Sequence, residues 1–178
     1  EGRLLLDTLN NLGVETDGIV QDPDRPTTVK VRMMGHLQSA GKGIQQLLRI
    51  DYEKTDDIEE KKQEEIINKI ENKIQHVDII LISDMNKGVL SRRILETVIR
   101  SGKDHNIPVI VDPRLTDDYS IYKGATAITP NRFETKLSTG IKITDVNSMK
   151  SASKKLLEEF SFEYVILTAD KDGMFLYS

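Results

Sequence analysis

Cysteine is absent from the chain, and long apolar runs are absent as well. Without cysteine there can be no disulfide bridge, no thiolate metal site and no cysteine nucleophile. No stretch approaches the roughly 20 apolar residues that a membrane-spanning helix needs, and no signal peptide is visible. These absences argue against a membrane partner and are compatible with a cytoplasmic location.

An excess of positive charge is missing too, since the formal net charge at pH 7 is -4. Nucleic-acid modules usually carry a basic footprint, so no nucleic-acid partner is expected. What the 178-residue chain does have is 30% charged and 38% hydrophobic residues, which is typical of a globular domain with a real core. The chain begins at Glu1 rather than Met, and its first residues have the spacing of a helix that ends before Gly13. We therefore expect the chain to be part of a longer protein.

Residues 18–52 are predicted to form a small antiparallel sheet. The stretch "GIVQD" at 18–22 is typical of a short strand, "TTVKVRMM" at 27–34 alternates as a strand does, and "QLLRIDY" at 46–52 returns as another. Between them, "QSAGKG" is interpreted as a Gly-rich hairpin tip. It resembles a phosphate-binding loop at a glance, but no helix follows it, and Gly43 stands where that loop needs Ser or Thr.

The rest of the chain alternates apolar strands with amphipathic helices. Near-continuous apolar runs predict strands at "VDIILIS", "IPVIVD", "ATAIT", "YVILT" and "GMFLYS", and the first of these is expected to be buried on both faces. Helical spacing predicts helices over 56–76, after Ser91, from Asn131 and over 145–160. Right-handed crossovers join such strands into a parallel sheet, so the predicted fold class is α/β.

Polar side chains follow four successive predicted strands at their carboxyl ends, where open α/β sheets bind ligands. Each one alone has an ordinary explanation, because acids, amides and glycines are common in turns. The convergence of all four strands on one edge of the sheet is what favours a site there. In chain order the residues are Ser83, Asp84 and Lys87, then Asp112 and Arg114, then Asn131 and Glu134, then Thr168, Asp170 and Gly173.

The stretch "TPNRFE" at 129–134 has two interpretations. Asn131 is a good helix N-cap, and Glu134 three residues later can complete a capping box. The N-terminus of a helix also favours an anion, because its backbone N–H groups and its dipole point outward. We predict that Asn131 both caps the helix and contacts a ligand.

The chemistry that suits these strand ends is phosphoryl transfer. Mg²⁺ prefers oxygen ligands and needs only one or two carboxylates beside substrate phosphates, while Lys and hydroxyl groups can donate to phosphate oxygens. A nucleotide-dependent phosphoryl transferase fits this set, and a phosphatase or a simple nucleotide binder fits it almost as well.

Four segments resemble, in this order, the central and later part of ribokinase/PfkB-type sugar kinases: "SDMNKGVL", "VIVDPR", "SIYKGATAITPNRFE" and "VILTADKDGMFL". Within that family, "RPTTVKVR", "LRID" and "YKGATAITPN" are similar to D-glycero-β-D-manno-heptose-7-phosphate kinases, the kinase half of bifunctional ADP-heptose synthesis proteins. The resemblance implies a three-layer ribokinase-like domain over 1–178, truncated at both ends, with an antiparallel β lid over 18–52 and a nucleotide-binding core over 53–178.

The resemblance also implies roles for single residues, with ATP and Mg²⁺ as cofactors. Asn131 would contact a nucleotide phosphate, Glu134 and Asp112 would serve the metal, and Thr168 and Gly173 would lie along the nucleotide.

The substrate residues that the resemblance implies lie earlier in the chain. Asp84 and Lys87 would face the sugar or the transferred phosphoryl group, and Arg49 and Lys30 of the β lid could approach the sugar phosphate. The alternating lid strands would leave an apolar face of the kind that family members bury in a homodimer.

The chain departs from the family pattern at several positions. Met85 stands where the family usually has Tyr, and Arg114 where it often has Lys. The G-A-G-D motif, which carries the family's catalytic Asp and its anion hole, is absent and is expected beyond Ser178. The first strands of the family domain are expected before Glu1. The segment alone is therefore predicted to be inactive.

The activity that the resemblance implies for the intact protein is transfer of the γ-phosphoryl group of ATP to the anomeric hydroxyl of D-glycero-β-D-manno-heptose 7-phosphate, on the route to ADP-heptose and the lipopolysaccharide core. Two alternatives stay open. One is a related kinase for fructose, ribose or a similar sugar. The other is a nucleotide-binding protein with no catalytic activity.

Overall fold

The computed structural model describes residues 1–36 and 43–178, so most of the predicted Gly-rich tip, at 38–42, lies outside the described residues. The chain divides into two compact units, Glu1–Asp56 and Asp57–Ser178. Within the described ranges, no helix combines the length and the apolar character needed to cross a membrane.

The first unit contains a helix and a hairpin. Helix α1 (Gly2–Asn11) is followed by Gly13 at φ 72°, as the sequence predicts. Strands β1 (Val29–His36) and β2 (Ile44–Tyr52) pair antiparallel, with a shift of register between Met33 and Met34. The two strands of the predicted small sheet are thus confirmed.

The predicted strand at "GIVQD" is wrong, because residues 18–22 form turns and irregular structure. The backbone bonds of this stretch are local: the Ile19 N–H donates to the Thr16 carbonyl at 3.0 Å, and the Asp22 side chain accepts from the Asp24 N–H at 3.0 Å. Short-range bonds of this kind compete with a strand ladder, and the apolar pair Ile19-Val20 alone does not outweigh them.

The second unit, all of which is described, is an α/β domain. Its helices are α2 (Glu60–Lys73), α3 (Arg92–Asp104), α4 (Arg132–Thr139) and α5 (Val146–Phe160). Its strands are β3 (Ile80–Ser83), β4 (Val109–Asp112), β5 (Ala127–Ile128), β6 (Tyr164–Thr168) and β7 (Met174–Tyr177). They form one five-stranded sheet in the order β3-β4-β5-β6-β7.

The sheet is parallel from β3 to β6, as predicted, and β7 pairs antiparallel with β6. The connection between β6 and β7 is a tight turn at Asp170–Asp172 that ends at Gly173 with φ 85°. A turn this short cannot carry the chain back for a parallel pairing, which needs a crossover of a dozen residues or more. Gly173 is therefore a hairpin glycine, the ordinary explanation that the sequence allowed.

The expectation that the first apolar strand is buried on both faces is only half right. Ile82 of β3 is buried, but Leu81 is 73% exposed. The strand lies at the edge of the described sheet. An apolar run predicts that a segment is a strand, but it does not show whether both faces of that strand are packed against other elements. The neighbouring interior strand β4 is better covered, with Val109 and Val111 fully buried.

One hydrophobic cluster joins the sheet to the helices. It contains Leu95 of α3, Val111 of β4, Leu156 of α5 and Leu167 of β6, and all four side chains are fully buried. Burying side chains of this kind contributes roughly 1.5–3 kcal/mol each to the hydrophobic stabilisation of the fold. This core fixes the strand ends from which the polar residues project.

Candidate active site

An open cleft of about 500 Å³ lies at the carboxyl ends of β3 to β6. The strand-end pattern predicts this position. Besides other loop residues such as Met85 and Thr129, the cleft is lined by six of the polar residues predicted at the strand ends, which are Asp84, Asp112, Arg114, Asn131, Glu134 and Thr168.

Asn131 and Glu134 form a complete capping box at the start of α4. The Asn131 side-chain oxygen accepts from the N–H groups of Phe133 at 2.9 Å and Glu134 at 3.0 Å. The Glu134 carboxylate accepts in return from the Asn131 N–H at 2.8 Å. The box uses the amide oxygen of Asn131, so its NH₂ group remains a donor in the cleft.

Asp112 ends β4 with an exposed carboxylate. The hydroxyls of Ser83 and Thr129 each donate to one of its oxygens, but both distances are 3.4 Å. Hydroxyl–carboxylate bonds of ordinary strength are much shorter, so these two contacts hold the carboxylate weakly. Asp112 is therefore better placed to bind a cation than Glu134, one of whose oxygens is already engaged.

Asp84 differs from Asp112, because it is buried and well bonded. One oxygen accepts from the Tyr122 hydroxyl at 2.7 Å, and the other from the Asn86 N–H at 2.8 Å. The Arg114 guanidinium lies 3.9 Å from the first oxygen. The Asp84 side chain is only 3% exposed, which leaves little of it accessible to a sugar hydroxyl, so this geometry favours a structural role for Asp84 in the cleft.

Tyr122 is a site residue that the sequence analysis missed. It ends a short turn, Ser120–Tyr122, between β4 and β5, where no helical or strand periodicity marks it. Burial, and next the hydrogen bond to Asp84, raise the pKa of its hydroxyl far above the ordinary value. The hydroxyl therefore stays protonated and donates a hydrogen bond to the carboxylate.

Thr168 and Gly173 are predicted to lie along a nucleotide, and the structure places them at the two ends of the turn that joins β6 to β7. Thr168 lines the cleft, and its N–H donates to the Pro130 carbonyl at 2.9 Å, which holds the end of β6 beside Asn131. Gly173 lies outside the cleft lining, in the β6–β7 turn. Arg132 of α4 connects that turn to the helix through a 2.6 Å ion pair with Asp172. The sequence analysis did not identify this residue either.

Lys87 is half-buried and lies outside the cleft lining, in the loop that follows β3. Buried polar groups anchor that loop. The Ile58 N–H donates to the Gly88 carbonyl at 2.9 Å, and the buried Gln63 amide binds both the Ile58 carbonyl at 2.8 Å and the Ser91 hydroxyl at 2.7 Å. Such bonds fix the backbone that carries Lys87.

Lys30 and Arg49, the predicted lid contacts, belong to the first unit. Lys30 of β1 is the cross-strand partner of Asp51 on β2, and the Arg49 guanidinium forms a 2.9 Å ion pair with the Asp51 carboxylate. Both cations therefore flank one carboxylate on the same hairpin.

The carboxylate oxygens in the cleft fit a magnesium ion that is also bound by phosphate oxygens. Among residues 1–36 and 43–178, no group of three or more His, Cys, Asp or Glu side chains lies close enough to hold a metal alone. Mg²⁺ does not need such a cage, since it keeps waters and takes one or two carboxylates plus phosphate oxygens. Asp112, together with the free oxygen of Glu134, meets that demand.

Comparison with known proteins identifies relatives of the whole chain. The pattern described as pfkB family carbohydrate kinase matches residues 1–178. The chain is 41% identical to the bifunctional protein HldE of Desulfatibacillum aliphaticivorans, over 99% of this chain and 35% of that protein. It thus spans about a third of the length of this relative.

Solved structures share the fold. Phosphofructokinase-2 from Escherichia coli, in complex with potassium, superposes with a TM-score of 0.69 at 13% identity, over 99% of this chain and 55% of that one. Arabidopsis thaliana ribokinase, complexed with ribose and ATP, gives a TM-score of 0.66 at 18% identity, over 99% and 54%. Identities this low show the fold alone. The family pattern, however, extends over the whole chain, and the chain therefore belongs to the pfkB family of carbohydrate kinases.

Proposed function

We propose that the complete protein transfers the γ-phosphoryl group of ATP to the anomeric hydroxyl of D-glycero-β-D-manno-heptose 7-phosphate. The observation that carries the proposal is the juxtaposition, in one cleft, of the Asn131–Glu134 capping box and the weakly held carboxylate of Asp112. The heptose assignment is supported by the motifs "RPTTVKVR" and "YKGATAITPN" and by the HldE relative.

Each cleft residue has a proposed part in this reaction. The NH₂ group of Asn131 donates to a nucleotide phosphate at the positive end of α4. Asp112 and Glu134 hold Mg²⁺, which neutralises charge on the phosphates when it is bound. Thr168 lies along the nucleotide. Phosphoryl transfer depends mostly on such positioning and electrostatic stabilisation.

The remaining proposed contacts are those of the acceptor. Lys87, on the anchored loop after β3, balances charge on the transferred group, and Asp84 keeps the neighbouring backbone in place. Arg49 and Lys30 of the β lid approach the sugar phosphate.

A substrate panel tests the proposal. ADP release by the complete protein with Mg-ATP is measured with heptose 7-phosphate, fructose or ribose as acceptor. We expect release with the heptose phosphate only. Release with fructose or ribose instead would keep the kinase and overturn the substrate, and no release with any acceptor would favour a nucleotide-binding protein without catalysis.

We further propose that the complete protein is a homodimer joined through the hairpin. Cross-strand pairing places Val31 opposite Ile50 and Met33 opposite Leu48 on one face. Met33 and Leu48 are each 51% exposed, an unusual exposure for adjacent large apolar side chains. The opposite face carries the charged pair Lys30 and Asp51. An isologous contact would bury the apolar face twice.

Light scattering on the Met33→Lys variant tests this interface. The wild-type complete protein should have twice the mass of its chain, and the variant should have the mass of one chain, because an unpaired lysine in an apolar interface is costly. Val146→Lys, at an exposed apolar position of α5, is the matched control and should stay dimeric. A monomeric wild type would contradict the proposal.

A further inference from the structure

Two tyrosines of the loop between β4 and β5 are fully buried, and their hydroxyls have different surroundings. The rings of Tyr119 and Tyr122 lie 6.0 Å apart. Among the described residues, no partner of the Tyr119 hydroxyl meets hydrogen-bond geometry. Burial raises the pKa of this hydroxyl, and the nearby Ser138 side chain lowers that pKa by a smaller amount. The Tyr122 hydroxyl donates to the Asp84 carboxylate at 2.7 Å and accepts from the Arg114 N–H at 3.1 Å.

The Tyr122 hydroxyl therefore joins the ends of two neighbouring strands. Asp84 follows β3 and Arg114 follows β4, and both residues line the cleft. Burying a hydroxyl is costly unless it is bonded, and it gains most when its partner is charged. Ring packing alone would be satisfied by phenylalanine, so the two bonds are what tyrosine adds at this position.

The Arg114 side chain is the exposed end of this arrangement. About a third of it is accessible, at 30% exposure, while the Asp84 side chain is 3% exposed. The nearest approach of the two charged groups is 3.9 Å, too long for a tight bidentate pair. The guanidinium thus keeps donors that face the cleft, and a planar fork of donors suits a phosphate group.

We propose that Tyr122 is a positioning residue, whose hydroxyl fixes Asp84 and the Arg114 backbone so that the Arg114 guanidinium is presented to a phosphate group bound in the cleft. The inference rests on the proposed function for the identity of that group, which belongs either to the nucleotide or to the sugar phosphate. Without the hydroxyl, Asp84 loses its neutral donor and draws Arg114 into a closer pair, away from the ligand.

Calorimetric binding to the complete protein tests the inference, with two probes that separate the phosphate sources: the ATP analogue AMP-PNP and heptose 7-phosphate. Tyr122→Phe should weaken the binding of one probe by about 10-fold, since a hydrogen bond to a charged group is worth about that much. Tyr119→Phe is the matched control and should bind both probes as the wild type does.

A double substitution separates positioning from general damage. Arg114→Ala should weaken the same probe, and Tyr122→Phe added to Arg114→Ala should weaken it no further, because Tyr122 acts through Arg114. A merely structural role would make the two effects additive. Failure of Tyr122→Phe to fold would overturn the inference, because the hydroxyl would then be needed for the fold itself and not for the placement of Arg114.

Several outcomes would overturn the inference: Tyr122→Phe binding like Tyr119→Phe, additive effects, unchanged affinity for both probes in Arg114→Ala, or no binding of either probe to the wild type. These results are distinguishable from failure of the proposed function. A protein that binds a probe through Arg114 and Tyr122 but phosphorylates no sugar would keep the inference and overturn the kinase.

Discussion

Replacing Asn131 with Asp in the complete protein should abolish most of the kinase activity while leaving the melting temperature unchanged. Asp caps a helix as well as Asn does, so the bonds to the N–H groups of Phe133 and Glu134 survive. The NH₂ donor is lost, and a negative charge is placed where a phosphate is proposed to lie. Removing one such donor costs about 100- to 1,000-fold in rate, and we expect kcat/KM to fall at least that far.

The second capping box of the domain supplies the matched control. Asp145 caps α5 and accepts from the Ser148 N–H at 2.8 Å, and the Ser148 hydroxyl reaches back to the Asp145 N–H at 3.0 Å. Asp145 lies outside the cleft lining. Asp145→Ala should lower the melting temperature by about 3 °C through loss of the cap, with kcat/KM unchanged.

The pair of variants separates the two interpretations of Asn131. Steady-state kinetics and thermal unfolding are measured on the same preparations. If Asn131→Asp keeps full activity, Asn131 is a cap only and the proposed phosphate contact is wrong. If Asn131→Asp unfolds at a much lower temperature, the activity loss cannot be assigned to the ligand contact.

Elements with strong local signals could be predicted from the sequence. The helix predicted after Ser91 is observed, and the Ser91 hydroxyl caps it by accepting from the Ile94 N–H. The box at Asn131 and the helix before Gly13 are observed as well. Each of these depends on side-chain chemistry within one helical turn, which a sequence displays directly. The convergence of four strand ends follows because parallel strands share one carboxyl edge.

Features that depend on distant partners could not be predicted. The bond from Tyr122 to Asp84 joins residues 38 positions apart, and the ion pair of Arg132 with Asp172 joins residues 40 positions apart. No periodic pattern in the sequence predicts either contact. The strand-end rule also selects Gly173, which lies outside the cleft lining, because the rule finds residues that follow a strand without telling which of them face the cleft.

Asp112→Asn in the complete protein should give the second large loss of kinase activity. Unlike Asn131→Asp, it should also change the Mg²⁺ concentration that the enzyme requires. Asn has nearly the shape of Asp, its oxygen can accept from one of the Ser83 and Thr129 hydroxyls, and its NH₂ group can donate to the other, so the fold should be unaffected. The lost charge removes the carboxylate that we propose as the principal metal ligand. We expect kcat/KM to fall by about 100-fold, a loss of about 2.7 kcal/mol of transition-state stabilisation, and the half-saturating Mg²⁺ concentration to rise by about 10-fold.

Two further substitutions make the Mg²⁺ titration decisive. Asp117→Asn removes an exposed carboxylate from the same loop, outside the cleft lining, and should leave the Mg²⁺ dependence as in the wild type. Glu134→Gln should have a smaller effect than Asp112→Asn, because Gln also completes a capping box and one Glu134 oxygen is already used by the Asn131 N–H. A larger effect at Glu134 would reverse the proposed order of the two ligands. An unchanged Mg²⁺ dependence in Asp112→Asn would mean that the weakly held carboxylate at the end of β4 does not bind the metal, and the cation would then have to be held by phosphate oxygens and Glu134.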